Sequence, residues 1–422
     1  YSKYLPQAVP DDLRTWLAEA IGSDNPGRAR QVRFLYRGTV QPQEPPSNPQ
    51  RMGTYQLALD LQNARLNYAS DWPQLNELEA RLRLDNQNLD AVVEQARVYN
   101  SRITGGHVAL DENPEGEGLL LTLEAGLDGL ASDGLRLLRE SYLRQFVGDN
   151  MDTWFMHGDL QADLSLALPL TEGAPGDRQR VVMDLDVPKV AMDNFDLAMN
   201  NLRGGMVWEG ETGLSAERLT AELFGQPVTM SIQSDLSGGQ AARTDLDITG
   251  KVSVADLKQW SQRPELMFLD GVIDYSGRVQ LTHHLELPGH TDKTLAELRF
   301  NTDLTGVSVD LPAPYRKSAD SSRPLAFNMS FKQKTRQLEL AYANQVEALL
   351  KLDDASGGLL NANLALGQPA KLPEQPSLHL SGAMDTVNLD VWERLLDRYL
   401  AEGVRMTEAS GEEDLAVTDL PL

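Results

Sequence analysis

Leu325-Ala326-Phe327-Asn328-Met329-Ser330-Phe331-Lys332 is the stretch whose reading decides the fold class. Large apolar side chains take every second position, and small or polar ones take the positions between. That two-residue period belongs to a strand with one apolar face and one wetted face, whereas a helix would space its apolar residues by three and four. The same alternation recurs outward along the chain. It runs through Val307, Val309 and Leu311, through Leu246, Ile248 and Val252, and through Val228, Met230 and Ile232. Further towards the N-terminus it returns in Leu164, Leu166 and Leu168 and in Leu57, Leu59 and Leu61, and C-terminally in Leu360, Ala362, Leu364 and Leu366. Glycine pairs at Gly105-Gly106, Gly204-Gly205, Gly238-Gly239 and Gly357-Gly358 read as turns between such strands.

Helical spacing is confined to four segments, near residues 10–22, 132–147, 254–261 and 388–400. In the second of these Leu135, Leu138, Tyr142 and Phe146 recur at three and four. The other three share a phrase: Asp11-Asp12-Leu13 leads to Trp16, Asp256-Leu257 to Trp260, and Asp390 to Trp392. An acidic residue near a helix start favours the helix dipole, and the tryptophan that follows is read as an anchor of a short helix on a sheet. The chain is therefore mostly β with a few short helices. It is read as one continuous segment over 1–400, followed by an acidic tail over 401–422 that is either disordered or the start of a next repeat.

Composition narrows the function. Lys and Arg number 38 against 62 Asp and Glu, a formal net charge of −24, which repels phosphate backbones and excludes nucleic acid as a partner. No basic run offers an anionic membrane an electrostatic foothold, so contact with lipid would be mainly apolar. The absence of cysteine removes disulfides and thiolate metal sites, and it suits a reducing cytosol or a periplasm equally. No apolar run reaches the roughly 18 residues of a membrane span, and the chain reads as a soluble segment of a longer protein.

Catalytic motifs are missing from this pattern. The six histidines, His107, His157, His283, His284, His290 and His379, form no HExxH and no paired ligand spacing. There is no GxSxG elbow and no phosphate-binding GxxxxGK[ST] loop, and Gly116-Glu117-Gly118 lacks the third glycine of a dinucleotide site. No catalytic residue, metal ligand or cofactor is assigned.

Something must cover the apolar face of so many amphipathic strands. Sheets could pack on one another, close as a solenoid, or curl into a trough whose lining meets a hydrophobic ligand. Periodicity does not separate these. The alternating residues are mostly aliphatic and aromatic residues are only 6% of the chain, which suits acyl chains better than glycans.

Three stretches carry a resemblance. Tyr4–Ile21, YLPQAVPDDLRTWLAEAI, followed by Arg37-Gly38, is similar to the opening of the YhdP type of the AsmA-like family. Leu269–Leu281, LDGVIDYSGRVQL, and Asn301–Leu325, NTDLTGVSVDLPAPYRKSADSSRPL, resemble a second and more specific family stretch. The resemblance implies an elongated, twisted antiparallel sheet curled into an open hydrophobic groove, without catalysis. It also implies the periplasm of a Gram-negative bacterium, with the full-length protein anchored in the inner membrane and phospholipid carried toward the outer membrane. Partners would be phospholipid acyl chains, the two membranes through parts outside this chain, and other envelope proteins. The expected lining is Leu57, Leu59, Leu61, Leu164, Leu166, Leu168, Val228, Met230, Ile232, Leu246, Ile248, Val307, Val309, Leu325, Phe327, Met329 and Phe331. The alternative reading is a non-catalytic scaffold that assists outer-membrane protein or envelope assembly through strand addition at its edges; a polysaccharide-acting solenoid is disfavoured by the aliphatic pattern.

Overall fold

The structure, a computed structural model, describes residues 26–38, 54–68, 72–141, 144, 151–171, 173–193, 196–236, 241–284, 294–332, 334–383 and 388–410. Among them the fold is mostly β, with twenty strands and three α-helices. The chain divides into two compact units, Tyr1–Leu219 and Thr220–Leu422. In each the sheet is open and curled.

The first unit holds β1 (Arg28–Arg37), β2 (Thr54–Leu66), β3 (Leu75–Asp85), β4 (Asn88–Val98), β5 (Ser101–Glu112), β6 (Leu119–Leu130), α1 (Ala131–Glu140), β7 (Trp154–Pro169), β8 (Arg178–Met192), β9 (Leu197–Glu209) and β10 (Gly213–Leu223), whose end belongs to the second unit. From β1 to β9 each strand pairs antiparallel with the next. The second unit holds β11 (Gln226–Asp235), β12 (Ala241–Ser253), α2 (Val254–Ser261), a 3-10 turn (Pro264–Phe268), β13 (Leu269–His284), β14 (Thr294–Thr302), β15 (Val307–Val309), β16 (Leu325–Lys332), β17 (Thr335–Tyr342), β18 (Val346–Asp353), β19 (Leu359–Leu366), β20 (Leu378–Gly382) and α3 (Leu389–Ser410). Here the short β15 pairs with the start of β13, β14 pairs with β16, and β20 lies parallel to β19. The crossover into β20 rests on polar side chains: Asn361 Nδ2 donates to Pro373 O at 2.8 Å, Asn363 Nδ2 to Lys371 O at 2.7 Å, and Glu347 Oε2 accepts from Ala370 N at 3.0 Å.

Two of the glycine pairs expected at turns lie inside strands instead. Gly105-Gly106 falls within β5 and Gly204-Gly205 within β9, while Gly357-Gly358 does sit between β18 and β19; Gly238-Gly239 lies outside the described residues. Gly105 has φ +126° beside a register shift between Ile103 and Gly106, and in Gly204 the reason is close backbone approach. Gly204 has φ +139° and a Cβ there would stand 2.6 Å from Arg218 O. Gly158, in β7, has φ +137° beside a register shift between His157 and Asp159, and its Cβ would meet Asp186 O at 2.5 Å. Bulges of this kind bend and twist a strand, which is how an antiparallel sheet curls.

Helix α1 covers the first part of the segment expected at 132–147. Asp133 is buried and accepts from Asn100 N at 2.9 Å and Ser101 Oγ at 2.7 Å, tying the helix start to the β4–β5 turn. Tyr142 and Phe146 lie outside the described residues. Helix α2 spans Val254–Ser261, with Ser253 Oγ accepting from Asp256 N at 3.0 Å as its N-cap. Helix α3 continues to Ser410, ten residues beyond the expected end at 400, so the first part of the 401–422 segment is helical. The segment near 10–22 and residues 411–422 lie outside the described residues.

The principal core of the second unit gathers Val252, Val254, Ile273, Leu304, Val307, Val309, Tyr315 and Tyr342, with Leu257 and Trp392 packed against it. Val254 and Val307 are fully buried, and each such side chain contributes roughly 1.5–3 kcal/mol. Lys317 is enclosed beside them: its Nζ donates to Val307 O at 2.6 Å and Ser318 O at 2.9 Å, and burial pushes its pKa down. Of the helix tryptophans, Trp260 stands 5.7 Å from the Phe224 ring and Trp392 6.1 Å from Tyr315, while Trp16 lies outside the described residues.

Candidate functional site

Directly paired residues in a sheet project from the same face, so register converts separate alternations into continuous rows. In the second unit one row runs Ile232, Leu246, Val279, Leu298, Met329, Leu338, Leu350, Ala362, Leu378 across β11, β12, β13, β14, β16, β17, β18, β19 and β20. The next row is Met230, Ile248, Gly277, Phe300, Phe327, Leu340, Ala348, Leu364, Leu380. At about 4.8 Å between strands, eight spacings give a face roughly 38 Å wide.

Neither row contains a polar side chain. Gly277 makes the second possible, because a Cβ there would stand 2.3 Å from the Phe300 ring, which leans over the backbone. Phe300 in turn packs edge-on to Tyr275 at 5.9 Å and tilted to Phe327 at 6.5 Å.

The two ends of these rows differ. Towards Tyr342, Leu325, Val346 and Leu366 the face is closed by the core around Leu304 and Val307. Towards Leu338, Leu350 and Met329 the side chains are only half-buried, and Leu281, Leu364, Leu378 and Leu380 are exposed. The opposite face is charged. Arg278 Nε meets Asp247 Oδ1 at 2.6 Å and Arg299 Nη2 meets Glu297 Oε2 at 2.6 Å, and the Arg278 contact holds the Asp247 carboxyl below its usual range.

The first unit repeats the arrangement. Phe34, Leu57, Leu84, Leu89, Leu110, Leu121 and Leu168 form one row across β1 to β7, and Leu59, Leu82, Ala91, Val108, Leu123 and Leu166 form the next. Leu61 and Leu164 fall in a third through Ala80, Val93, Gly106 and Ala125. Small residues in that third row leave less apolar material there, and Ala80 packs with Ala64, Leu78 and Ala96 in a local core.

Register thus brings Leu57, Leu59, Leu61, Leu164, Leu166 and Leu168 onto one face, and Val228, Met230, Ile232, Leu246, Ile248, Leu325, Phe327, Met329 and Phe331 onto one face of the second unit. Val307 and Val309 fare differently. They belong to β15 at the closed end and are 0% and 3% exposed. Val228, Met230 and Ile248 are also buried. Sequence reasoning passed over Leu121, Leu123, Leu338, Leu340 and Leu350. Leu338 and Leu340 do alternate, but runs such as Leu119-Leu120-Leu121 and Leu349-Leu350 hide the period.

Among the described residues no cluster of His, Asp and Glu is placed to hold a metal ion, and no helix is long and apolar enough to cross a membrane. His107 stands on the polar face with Nε2 3.0 Å from Asp90 Oδ2. His290 and the side chains of His283 and His284 lie outside the described residues.

A family model described as YhdP protein matches residues 1–420. The chain is 24% identical over 410 residues to a protein of Escherichia coli (strain K12) named intermembrane phospholipid transporter YhdP; the match covers 95% of this chain and 30% of that protein. The chain therefore spans under a third of that relative's length. No solved structure matches.

Proposed function

The chain belongs to the YhdP family, and from that premise we propose that its apolar sheet faces bind the acyl chains of phospholipids and conduct them between the inner and outer membranes of a Gram-negative envelope. The observation that carries the reading is the pair of unbroken apolar rows in the second unit, half-exposed on the side away from the closed core. Apolar surface of that extent on a protein calls for an occupant. Aliphatic side chains without polar partners discriminate little between lipid tails, and each buried methylene contributes about 0.8 kcal/mol. Chains would lie against the rows while headgroups face water. Movement along such a face exchanges one apolar contact for another, so it needs no bond-breaking step within these residues.

The family relative is named as an intermembrane phospholipid transporter, and the periplasmic setting, the inner-membrane anchor and delivery at either end are proposed for the whole protein of which this chain matches a part. The polar rear face, with its Arg278–Asp247 and Arg299–Glu297 pairs, would be the water-facing exterior.

Native mass spectrometry of the purified chain with lipid extraction tests this directly. Several phospholipids per chain are expected. A chain that copurifies with none, and takes up none from phospholipid vesicles while circular dichroism shows an intact β-fold, would refute acyl-chain binding.

A further inference from the structure

One arginine stands on the second unit's apolar face, in a row that also holds the hydrogen-bonded hydroxyls of Ser234 and Thr244. Arg336 pairs with Phe331 on β16 and with Leu352 on β18, so the register puts it on the face of Leu338 and Leu340, two and four residues further along β17. Among the described residues from β11 to β19, Lys332 pairs across a bulge with Thr294, and no further Lys, Arg, Asp or Glu pairs into those face positions. It occupies the end of β17 opposite to Tyr342, away from the closed core.

Its surroundings hold the guanidinium at that rim. The Arg336 Cζ lies 5.6 Å from the centre of the Phe331 ring, Nε donates to Asp354 Oδ1 at 2.6 Å, and Nη2 donates to Asp354 O at 3.3 Å. Its side chain is 40% exposed. Those contacts use two of the five N–H donors of a guanidinium, a group whose planar fork suits phosphate oxygens. Lys332 and Lys334 flank it at the β16–β17 turn, three cations within five residues of a chain whose formal net charge is −24. The other nearby acid, Asp353, is engaged in its own turn, accepting from Ser356 N at 2.9 Å and Oγ at 2.8 Å.

The distance along the strand is also apt. Six residue steps separate Arg336 from Tyr342, about 20 Å at roughly 3.4 Å per residue, against about 15 Å for the hydrocarbon depth of one leaflet. A cation at the rim and a closed apolar base one acyl chain away form an amphipathic slot.

We infer that Arg336 contacts the phosphate of an anionic glycerophospholipid whose chains lie along β16 to β18 towards Tyr342. This rests on the lipid-binding reading above and adds a headgroup contact to it. The test compares uptake of phosphatidylglycerol with uptake of diacylglycerol bearing the same chains, each delivered from detergent to the full 422-residue chain and counted by native mass spectrometry. Phosphatidylglycerol should be preferred about tenfold, as one or two charge-assisted hydrogen bonds would give. Arg336→Gln should erase the preference and leave diacylglycerol uptake unchanged, while Asp354→Asn, which frees the guanidinium, should raise the preference. An Arg336→Gln chain with the native preference would overturn the inference alone, as would variants that lower uptake of both lipids together, the mark of a merely structural ion pair. Binding of glycerophosphate as tight as phosphatidylglycerol and equally dependent on Arg336 would replace the lipid by a soluble anion. Uptake of neither lipid by the native chain would remove the lipid reading itself.

Discussion

Tyr342 and Leu338 stand on the same strand, on the same face, four residues apart, and they have different fates. Tyr342 is 6% exposed and its Oη donates to Tyr315 O at 3.0 Å, within the core built by Leu304, Val307 and Val309. Leu338 sits in the open row and is half-buried. What separates them is the segment 303–317, which folds back over one end of the sheet and stops there. The family-specific wording Asn301–Leu325 therefore builds the base that closes the face. The open rows, apart from Gly277 and Val279 in the family stretch Leu269–Leu281, are written in generic alternating sequence. Specific sequence is needed where side chains must interlock with a loop, a buried lysine and two helices; a surface for fluid chains demands only apolar bulk.

Substitutions in the base and in the open row would break or sharpen that contrast. The largest effect is expected at Val307→Asp, which sets a carboxylate in a fully enclosed site and should abolish cooperative unfolding of the second unit, read by urea denaturation. Leu304→Ala should cost about 2–5 kcal/mol in the same measurement; a cost equal to that of Leu338→Ala would mean that base and open row are equally packed and the contrast is false. Ser253→Ala removes the N-cap of α2 beside the base and should cost about 1 kcal/mol. Met329→Lys, in the open row, should change stability by less than about 1 kcal/mol yet lower the number of lipids retained per chain, and unaltered retention would take Met329 out of the lining.

The polar rear face offers a pH readout that the apolar face lacks. The Asp247 carboxyl is held below its usual range by Arg278, so its contribution to stability is present above the ordinary carboxylate pKa and is lost as pH falls through the lowered value. Asp247→Asn should flatten the acid limb of the stability profile below about pH 4, measured as melting temperature against pH.

Much of this was legible in the residues. The period of Leu325–Phe331, of Leu57–Leu61 and of Leu164–Leu168 marked strands and told their apolar side from their polar one, because a pleated strand alternates its side chains regardless of context. The start of α2 was marked by Asp256, while the Ser253 cap that bonds Asp256 N was passed over although it is local. Misreadings arose where the deciding contact is distant in sequence. Gly105 and Gly204 looked like turns, yet in Gly204 the demand comes from a backbone oxygen of Arg218 on the next strand. Val307 and Val309 alternate like the lining residues, and nothing local reports that they lie under the loop carrying Lys317.

The sequence by itself determined the fold class, the apolar side of most strands and the family, for these depend on local periodicity and on wording within short stretches. Tertiary structure decided which alternations join into one row, where a row is closed, and that Arg336 shares the rim with Phe331 and Asp354. Strand register and loop coverage join residues that are far apart in the chain, and their energies reside in pairings that no single stretch contains.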